Sequence, residues 1–490
     1  MNVSIIQRIA LLSIGITMAG TSSATGPMNT IEAAWFDPLA ARPLVLDHGR
    51  ILPGDSAEAS CSASTPADGP LSLERAVDLA LCNNPKIKDA WLGIKVQAAA
   101  LGVAKASFLP TVSANLGREH SATGYPDVRV PSSAATGNTT YASLNWRLFD
   151  FGARAAERES ANYMLVGAIQ NHDAVLQKAM EDTIQAYFDA QSARAAWHSK
   201  EEGVRIASAT LDSAKRREGN GAMAHGDVLQ AETAKARASL DRNRALGEYR
   251  KACAVLIYMM GIPADSAIEL ADIDTSTEAL PLMAQHTKND LDEWLQEVQR
   301  THPAILAARS QWEAARATAK ATRASGLPTV DFSANYYKNG YPNQGISSTG
   351  SHVGTIGISI SFPIFTGFSY TYKVRQAEAT AEQREMEAID IEHEVLTELV
   401  KAYSDACSAL DSLDASSLLL TAAEEALASS RRKYDKGAAD IVEMLNSQKE
   451  LADAKHERVR SVSDWRSARL RLMAATGKLG RTQLDSNASK

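Results

Sequence analysis

The feature that most constrains this chain is that it repeats itself. Asn84-Pro85 recurs as His302-Pro303, and the run Ala106 to Val112 recurs as Ala324 to Val330, both at an offset of 218. Further on, Tyr187 to Ala190 matches Tyr403 to Ala406, and Gly221, Leu229 and Gly261 match Gly437, Leu445 and Gly477, at an offset of 216. Chance similarity would not hold one register over so many stations, so the chain is a tandem duplication of a unit slightly over 200 residues long. The boundaries this implies are a first repeat over 71–262, a linker over 263–290, a second repeat over 291–478 and a tail over 479–490. Residues 25–70 read as an extended N-terminal segment, punctuated by proline and lacking periodicity.

Each unit has the same internal order. An opening helical segment, about 72–107 and about 291–324, runs into a Leu-Pro-Thr-Val stop. Proline ends a helix because it lacks the amide donor and clashes with the preceding turn. Alternation then begins, with strands expected at about 111–149 and 329–362. Leu144, Trp146 and Leu148 oppose Ser143, Asn145 and Arg147; Phe332 and Tyr336 oppose Asp331 and Asn335; Ile356, Ile358 and Ile360 oppose Thr355, Gly357 and Ser359. A period of two over about nine to eleven residues fits a membrane-spanning strand whose apolar set faces outward. The hairpin core of a soluble sandwich is the alternative. Stretches 118–140 and 343–354, rich in Gly, Ser, Thr and Asn, read as exposed turns. Rings cluster at the strand ends, at Phe149, Phe151, Tyr336, Tyr337, Tyr341, Phe365, Phe368 and Tyr370, as at a membrane–water boundary.

After the strands come long helical stretches without proline, about 153–216 and 368–434. The second shows heptads: Ile389, Leu396, Tyr403 and Leu410 at one position, Leu399, Ala406, Leu413, Leu420 and Leu427 at the other. The first spaces Leu165, Leu176 and Tyr187, and also Ile169 and Met180, by eleven residues, which straightens a supercoil. About 64 residues at 1.5 Å each span roughly 95 Å. Each helix turns near a glycine, Gly219 to Gly226 or Gly437, and returns over about 227–258 or 440–475.

Residues 1–24 carry one charge, Arg8, an apolar run from Ile9 to Gly20 and small residues Ser22 and Ala24: the pattern of a secretory signal. Losing Arg8 would take the formal charge from −7 to −8, which offers no footprint for nucleic acid. No run of 18 apolar residues follows, so an exported chain of this kind is either soluble or enters a membrane as strands. Four such strands cannot close a barrel, for which about eight is the minimum, and an open edge is intolerable in lipid. Assembly of identical copies is therefore required.

The order helix, strand, strand, long helix pair, twice over behind an export signal, resembles the TolC family of outer-membrane efflux proteins. The motifs that carry the resemblance are Leu71-Ser72-Leu73-Glu74-Arg75-Ala76-Val77 running to Asn84-Pro85, Phe108-Leu109-Pro110, Leu148-Phe149-Asp150-Phe151-Gly152, and Gly437 with Ile441 to Leu445. The resemblance covers about 71–478. It implies a mainly α fold with membrane β: a trimer whose twelve-stranded β-barrel continues into a periplasmic α-helical barrel. It further implies partners in an inner-membrane adaptor, an ABC or RND-type pump and outer-membrane lipid, with no cofactor. The implied role is the exit duct of such a pump in a Gram-negative outer membrane. The lack of a lipid-bearing cysteine and the extra cysteine pair lean toward polypeptide export by type I secretion over drug or small-molecule efflux.

By the same resemblance, acidic side chains after the helical turn ring the periplasmic mouth. They map to Glu443 and Asn446 in the second repeat and to Asp227 and Gln230 in the first, with Asn446 departing from the family's second carboxylate. A threefold acidic ring selects cations; a solvated helix face with local salt links is the plain alternative. Cys61 and Cys82 lie 21 apart and are either bridged, in a compartment that permits it, or two free thiols. Cys253 and Cys407 read as small buried apolar residues. No zinc-helix, nucleophile-elbow or phosphate-loop motif is present, so no enzyme and no metal site is expected. A periplasmic adaptor would need one hairpin flanked by β modules, and a surface coiled coil would lack the alternating strands.

Overall fold

In a computed structural model, the two halves of the sequence adopt the same succession of elements. It describes residues 37–42, 69–124, 133–221, 224–271, 288–339, 350–436, 438 and 441–477. The expected signal segment, Cys61, Gly437, Tyr341 and the 479–490 tail lie outside the described residues. The chain divides after Ala40 into two units. In the first, the described residues form a turn in which the Ala40 N–H donates to the Asp37 carbonyl at 3.2 Å.

The first repeat comprises α1 (Leu73–Asn83), α2 (Pro85–Ala106), β1 (Thr111–Thr123), β2 (Ser133–Phe149), α3 (Ala153–Gly219) and α4 (His225–Met260). The second comprises α5 (Lys288–Thr301), α6 (Pro303–Ala324), β3 (Thr329–Lys338), β4 (His352–Ser361), α7 (Ser369–Asp435) and α8 (Ile441–Ala475). The expected single opening helix is in fact two, because the residue before a proline is driven out of the helical region. Asn84 (φ −60°, ψ 122°) accepts from the Lys86 N–H, and His302 (φ −67°, ψ 127°) from the Ala304 N–H, so each caps the helix that its proline opens. Burial pushes the His302 imidazole pKa down, which suits a neutral acceptor.

Both breaks are held by a glycine from the far end of their repeat. Gly261 and Gly477 end α4 and α8 at φ 67° and 69°, a left-handed conformation that a side chain would strain. A Cβ on Gly261 would lie 2.7 Å from the Asn83 backbone, and one on Gly477 would lie 3.1 Å from the Pro303 ring. The Asn84 side-chain amide also donates to the Met259 carbonyl at 3.1 Å.

The strands form one antiparallel sheet in the order β1-β2-β3-β4, with β1 and β4 at its edges. The stretch read as a turn over 118–140 is largely strand: pairing continues from Thr111↔Asn145 to Thr123↔Ser133. Once a hairpin register is set, each further pair closes backbone hydrogen bonds whatever its side chains, so β structure outruns the apolar alternation. Likewise β4 already begins at His352.

Both long helices have 67 residues, about 100 Å at 1.5 Å per residue. Near the sheet, α2, α3, α6 and α7 pack side by side in that order; farther away α4 packs on α3, α8 on α7, and α8 also on α3. The eleven-residue series is interior: Leu165, Leu176, Met180 and Tyr187 are all buried. In α7, Leu399 and Leu413 are buried, whereas Ile389 is 42% exposed. The main core gathers α1, α3 and α4, with Leu470 and Ala474 of α8. It is closed by a parallel bridge between Leu71 and Leu270, whose carbonyls accept from Tyr187 Oη at 3.1 Å and Arg194 Nη1 at 2.6 Å.

Candidate functional site: a two-faced sheet and a shared helical tip

Residues directly opposite in neighbouring strands share a face. The register therefore gathers the alternating apolar residues into rows across all four strands: Val112, Leu144, Ala334 and Ile356 in one, Trp146, Phe332 and Ile358 in the next. Ile356, Ile358 and Ile360 are 79%, 65% and 58% exposed, and Trp146, Leu148 and Tyr336 also lie open, while Leu144 and Phe332 are half-buried among their neighbours. Leu148 departs from the simple pattern. A register shift between Arg147 and Phe149 leaves it unpaired and puts Phe149 opposite Val330.

The other face is a hydrogen-bonded polar surface. Ser113 and Ser143 meet at 2.7 Å, Tyr141 Oη donates to Asn335 Oδ1 at 3.2 Å, and Asn335 Nδ2 donates to Thr355 Oγ1 at 3.3 Å. Arg147 Nε lies 2.9 Å from Asp331 Oδ1. Tyr337 belongs here, stacked on Tyr141 with centroids 4.7 Å apart, and not with the boundary rings, because it sits one residue out of phase with Tyr336. The alternation identified these positions as opposed to the apolar set; which of them touch depends on register.

At the corner from β2 into α3, Asp150 and Arg154 are both buried. Arg154 Nε donates to Asp150 Oδ2 at 2.6 Å, and its Nη1 donates to the Arg147 carbonyl at 2.8 Å and the Ser107 carbonyl at 3.2 Å. Its guanidinium lies 4.9 Å from the Phe108 ring centre. Burial raises the Asp150 pKa, but the Arg154 side chain and backbone donors outweigh it and hold the carboxyl below its ordinary value.

The mouth candidates all sit in the first turns of two helices at the opposite end of α3 and α7. Asp227 and Gln230 are in α4, Glu443 and Asn446 in α8, where an acid suits the helix N-terminus. The buried sides of these turns, Val228, Ala231 and Met444, meet in one cluster with Leu211, Ala214 and Tyr434, so both repeats share a single tip. Glu443, Asn446 and Gln230 are exposed and Asp227 half-buried. Glu443 Oε1 lies 3.2 Å from Lys433 Nζ, a local salt link that the chemistry of the acid alone did not reveal. Arg217 of α3 lies 4.4 Å from the Tyr434 ring centre of α7 and ties the repeats together. That contact joins residues 217 apart in the chain and left no local signal.

Cys82 is disulfide-bonded. Cys253 is free and half-buried, as a small apolar residue would be, but Cys407 is free and exposed in this chain, against expectation. Position 407 falls on the long helix α7 and is left open by the described helices that pack on it, α5, α6 and α8. Among the described residues no cluster of His, Cys, Asp and Glu is arranged to hold a metal, and no helix is long and apolar enough to cross a membrane.

Similar proteins are found both by sequence and by fold. Protein CyaE of Bordetella pertussis is 32% identical over 86% of this chain and 87% of its own. Alkaline protease secretion protein AprF of Pseudomonas aeruginosa is 23% identical over 85% and 86%. The solved structure of outer membrane protein VceC from Vibrio cholerae, 20% identical, superposes with a TM-score of 0.70 over 83% of this chain and 96% of that one. The sequence profile of the outer membrane efflux proteins matches residues 76–261 and 294–478, one match to each structural repeat, and the chain belongs to that family.

Proposed function

We propose that this protein is the outer-membrane channel of a periplasm-spanning export system, three copies of the chain closing a twelve-stranded barrel that continues into a helical tunnel. One observation carries the reading: a sheet with one apolar face, one polar face and two edges, β1 and β4, that are unpaired among the described residues. In lipid such edges must be paired, and three sheets of four strands close without an edge. The lateral helices agree. Helix α2 is apolar on two sides, with Ile87, Ile94 and Leu101 buried but Leu92, Val96 and Val103 53%, 62% and 73% exposed, so its second stripe needs a neighbouring copy. The apolar rows would then meet lipid and the polar face would line the pore.

The cargo in this reading is a polypeptide delivered by an inner-membrane adaptor and an ABC-type pump. Its support is the similarity to AprF, an alkaline protease secretion protein, together with the disulfide at Cys82. Efflux of small molecules with an RND-type pump is the second reading, favoured by membership of the outer membrane efflux proteins. Deleting the gene and assaying both a secreted polypeptide and drug sensitivity separates them: loss of secretion with unchanged drug sensitivity supports the first, and the reverse rejects it. Heat-modifiable migration and outer-membrane fractionation test the channel itself, which soluble periplasmic recovery would exclude. Around the shared tip, Glu443 presented three times would favour cations, with Asp227 as a second acid and Asn446 and Gln230 as neutral members.

A further inference from the structure

The face that carries the apolar rows does not end with them. Going away from the helices, Val112, Ala114 and Leu116 of β1 give way to Arg118 and His120, Tyr336 of β3 to Lys338, and Ile356 of β4 to Gly354 and then His352. The register sets Lys338 between Thr140 and His352 in the row just beyond Tyr336, and sets Arg118 opposite Asn138 and His120 opposite Thr136 in the rows that follow. All four basic residues are exposed. Two imidazoles are anchored on this face, His352 Nδ1 at 3.2 Å from Tyr336 Oη and His120 Nδ1 at 2.7 Å from Thr136 Oγ1. Arg118 and Lys338 make no ion pair among the described residues. The one acid in this stretch of β1, Glu119, is opposite Gly137 on the polar face. At the helix-side rim the same face ends instead on Phe149, with exposed Phe151, Phe365 and Phe368 beyond it.

We infer that the basic rim farthest from the helices seats the phosphate groups of an outer-leaflet glycolipid, whose acyl chains lie along the apolar rows beneath. The inference rests on the channel reading, which makes this rim the outer one. The reason is charge complementarity continuous with the lipid face. Arginine and lysine at a membrane surface attract anionic headgroups, and either side chain can serve a phosphate as a charge-assisted donor. An assembly of several copies repeats the rim around the barrel, so the effect multiplies. The helix-side rim of the same face is built on rings instead, with Phe149, Phe365 and Phe368 exposed.

The test uses the full-length protein in detergent, titrated with bisphosphorylated lipid A and with the same lipid dephosphorylated, and counts bound lipids by native mass spectrometry. The wild-type protein should retain the phosphorylated lipid about tenfold better, and R118S/K338S should lose that preference. R118K/K338R should keep it, and E119Q, on the opposite face, should leave it unchanged. Equal retention of the two lipids by the wild-type protein, or undiminished preference in R118S/K338S, overturns the inference. Should the serine variant fail to fold, the comparison of lipids on the wild-type protein and on R118K/K338R still decides. A conducting pore in planar bilayers together with equal retention of the two lipids defeats this inference alone, whereas wild-type protein that forms no pore defeats the channel reading and the inference with it.

Discussion

After β2 the chain turns into α3 on a buried ion pair, Asp150 with Arg154; after β4 the equivalent places hold Thr366 and Tyr370. The geometry is nevertheless shared. Phe151 and Gly152 are left-handed at φ 52° and 90°, as are Gly367 and Phe368 at 62° and 64°, with the order of glycine and phenylalanine reversed. In each corner the first polar side chain receives a backbone N–H four residues on, Arg154 to Asp150 at 3.2 Å and Tyr370 to Thr366 at 3.3 Å. In each, the residue four places on reaches back to a carbonyl at the end of the short helix: Arg154 to Ser107, Tyr370 to Arg323 at 2.7 Å. The partner beneath has changed in step. Phe108 lies under the Arg154 guanidinium, whereas its counterpart Gly326 leaves room for the Tyr370 ring, 2.4 Å from where a Cβ would stand. Duplication has preserved the joint while exchanging an ion pair over a ring for a ring over a glycine.

The comparison is broken most severely by Asp150→Ala, which strands a buried guanidinium. It should cost about 3–5 kcal/mol, against about 1 kcal/mol for Thr366→Ala, read as denaturant midpoints of the detergent-solubilised protein. Equal costs would mean that the two corners do not differ in kind. The same contrast appears with pH. A carboxyl held below its ordinary range contributes stability that is complete above the unfolded aspartate pKa and is lost as pH falls through the lowered folded value. Unfolding of Asp150→Asn should therefore show a flatter acid limb than wild type, while Thr366→Ala keeps the wild-type slope.

Next in size is the packing exchange. Gly326→Phe should destabilise by about 1–3 kcal/mol by overfilling the corner, and adding Tyr370→Arg should recover most of the loss by rebuilding the first repeat's arrangement. Strict additivity of the two changes would refute the exchange. The smallest effect is expected at the tip, where Glu443 is solvent-facing and linked to Lys433. Glu443→Ala should change stability by less than about 1 kcal/mol yet lower the cation preference of single channels in planar bilayers. Unaltered selectivity would remove Glu443 from the mouth.

The duplicated order of strands and long helices and the apolar face of the sheet were legible in the sequence, with the first long helix read three residues short of its 67 and each opening helix pair read as one helix. The ends of β1 and β2 were not, since the polar residues 117–123 and 133–139 carry no apolar alternation and pair only because the hairpin register reaches them. Glu443, Asn446, Asp227 and Gln230 were placed by the family resemblance alone; that Lys433 is the partner of Glu443, and that the turns carrying all four pack on one shared cluster, was not legible.

What the amino-acid order determined by itself is which residues form each element and which face of each is apolar, because helices and strands follow from neighbours a few positions apart. Only the tertiary structure decided which polar groups meet: Arg147 with Asp331, Arg217 with Tyr434, Arg154 with the ends of β2 and α2. Those contacts form between elements that the chain separates by tens to hundreds of residues, and a polar side chain carries no local mark of the partner that burial or register will bring to it.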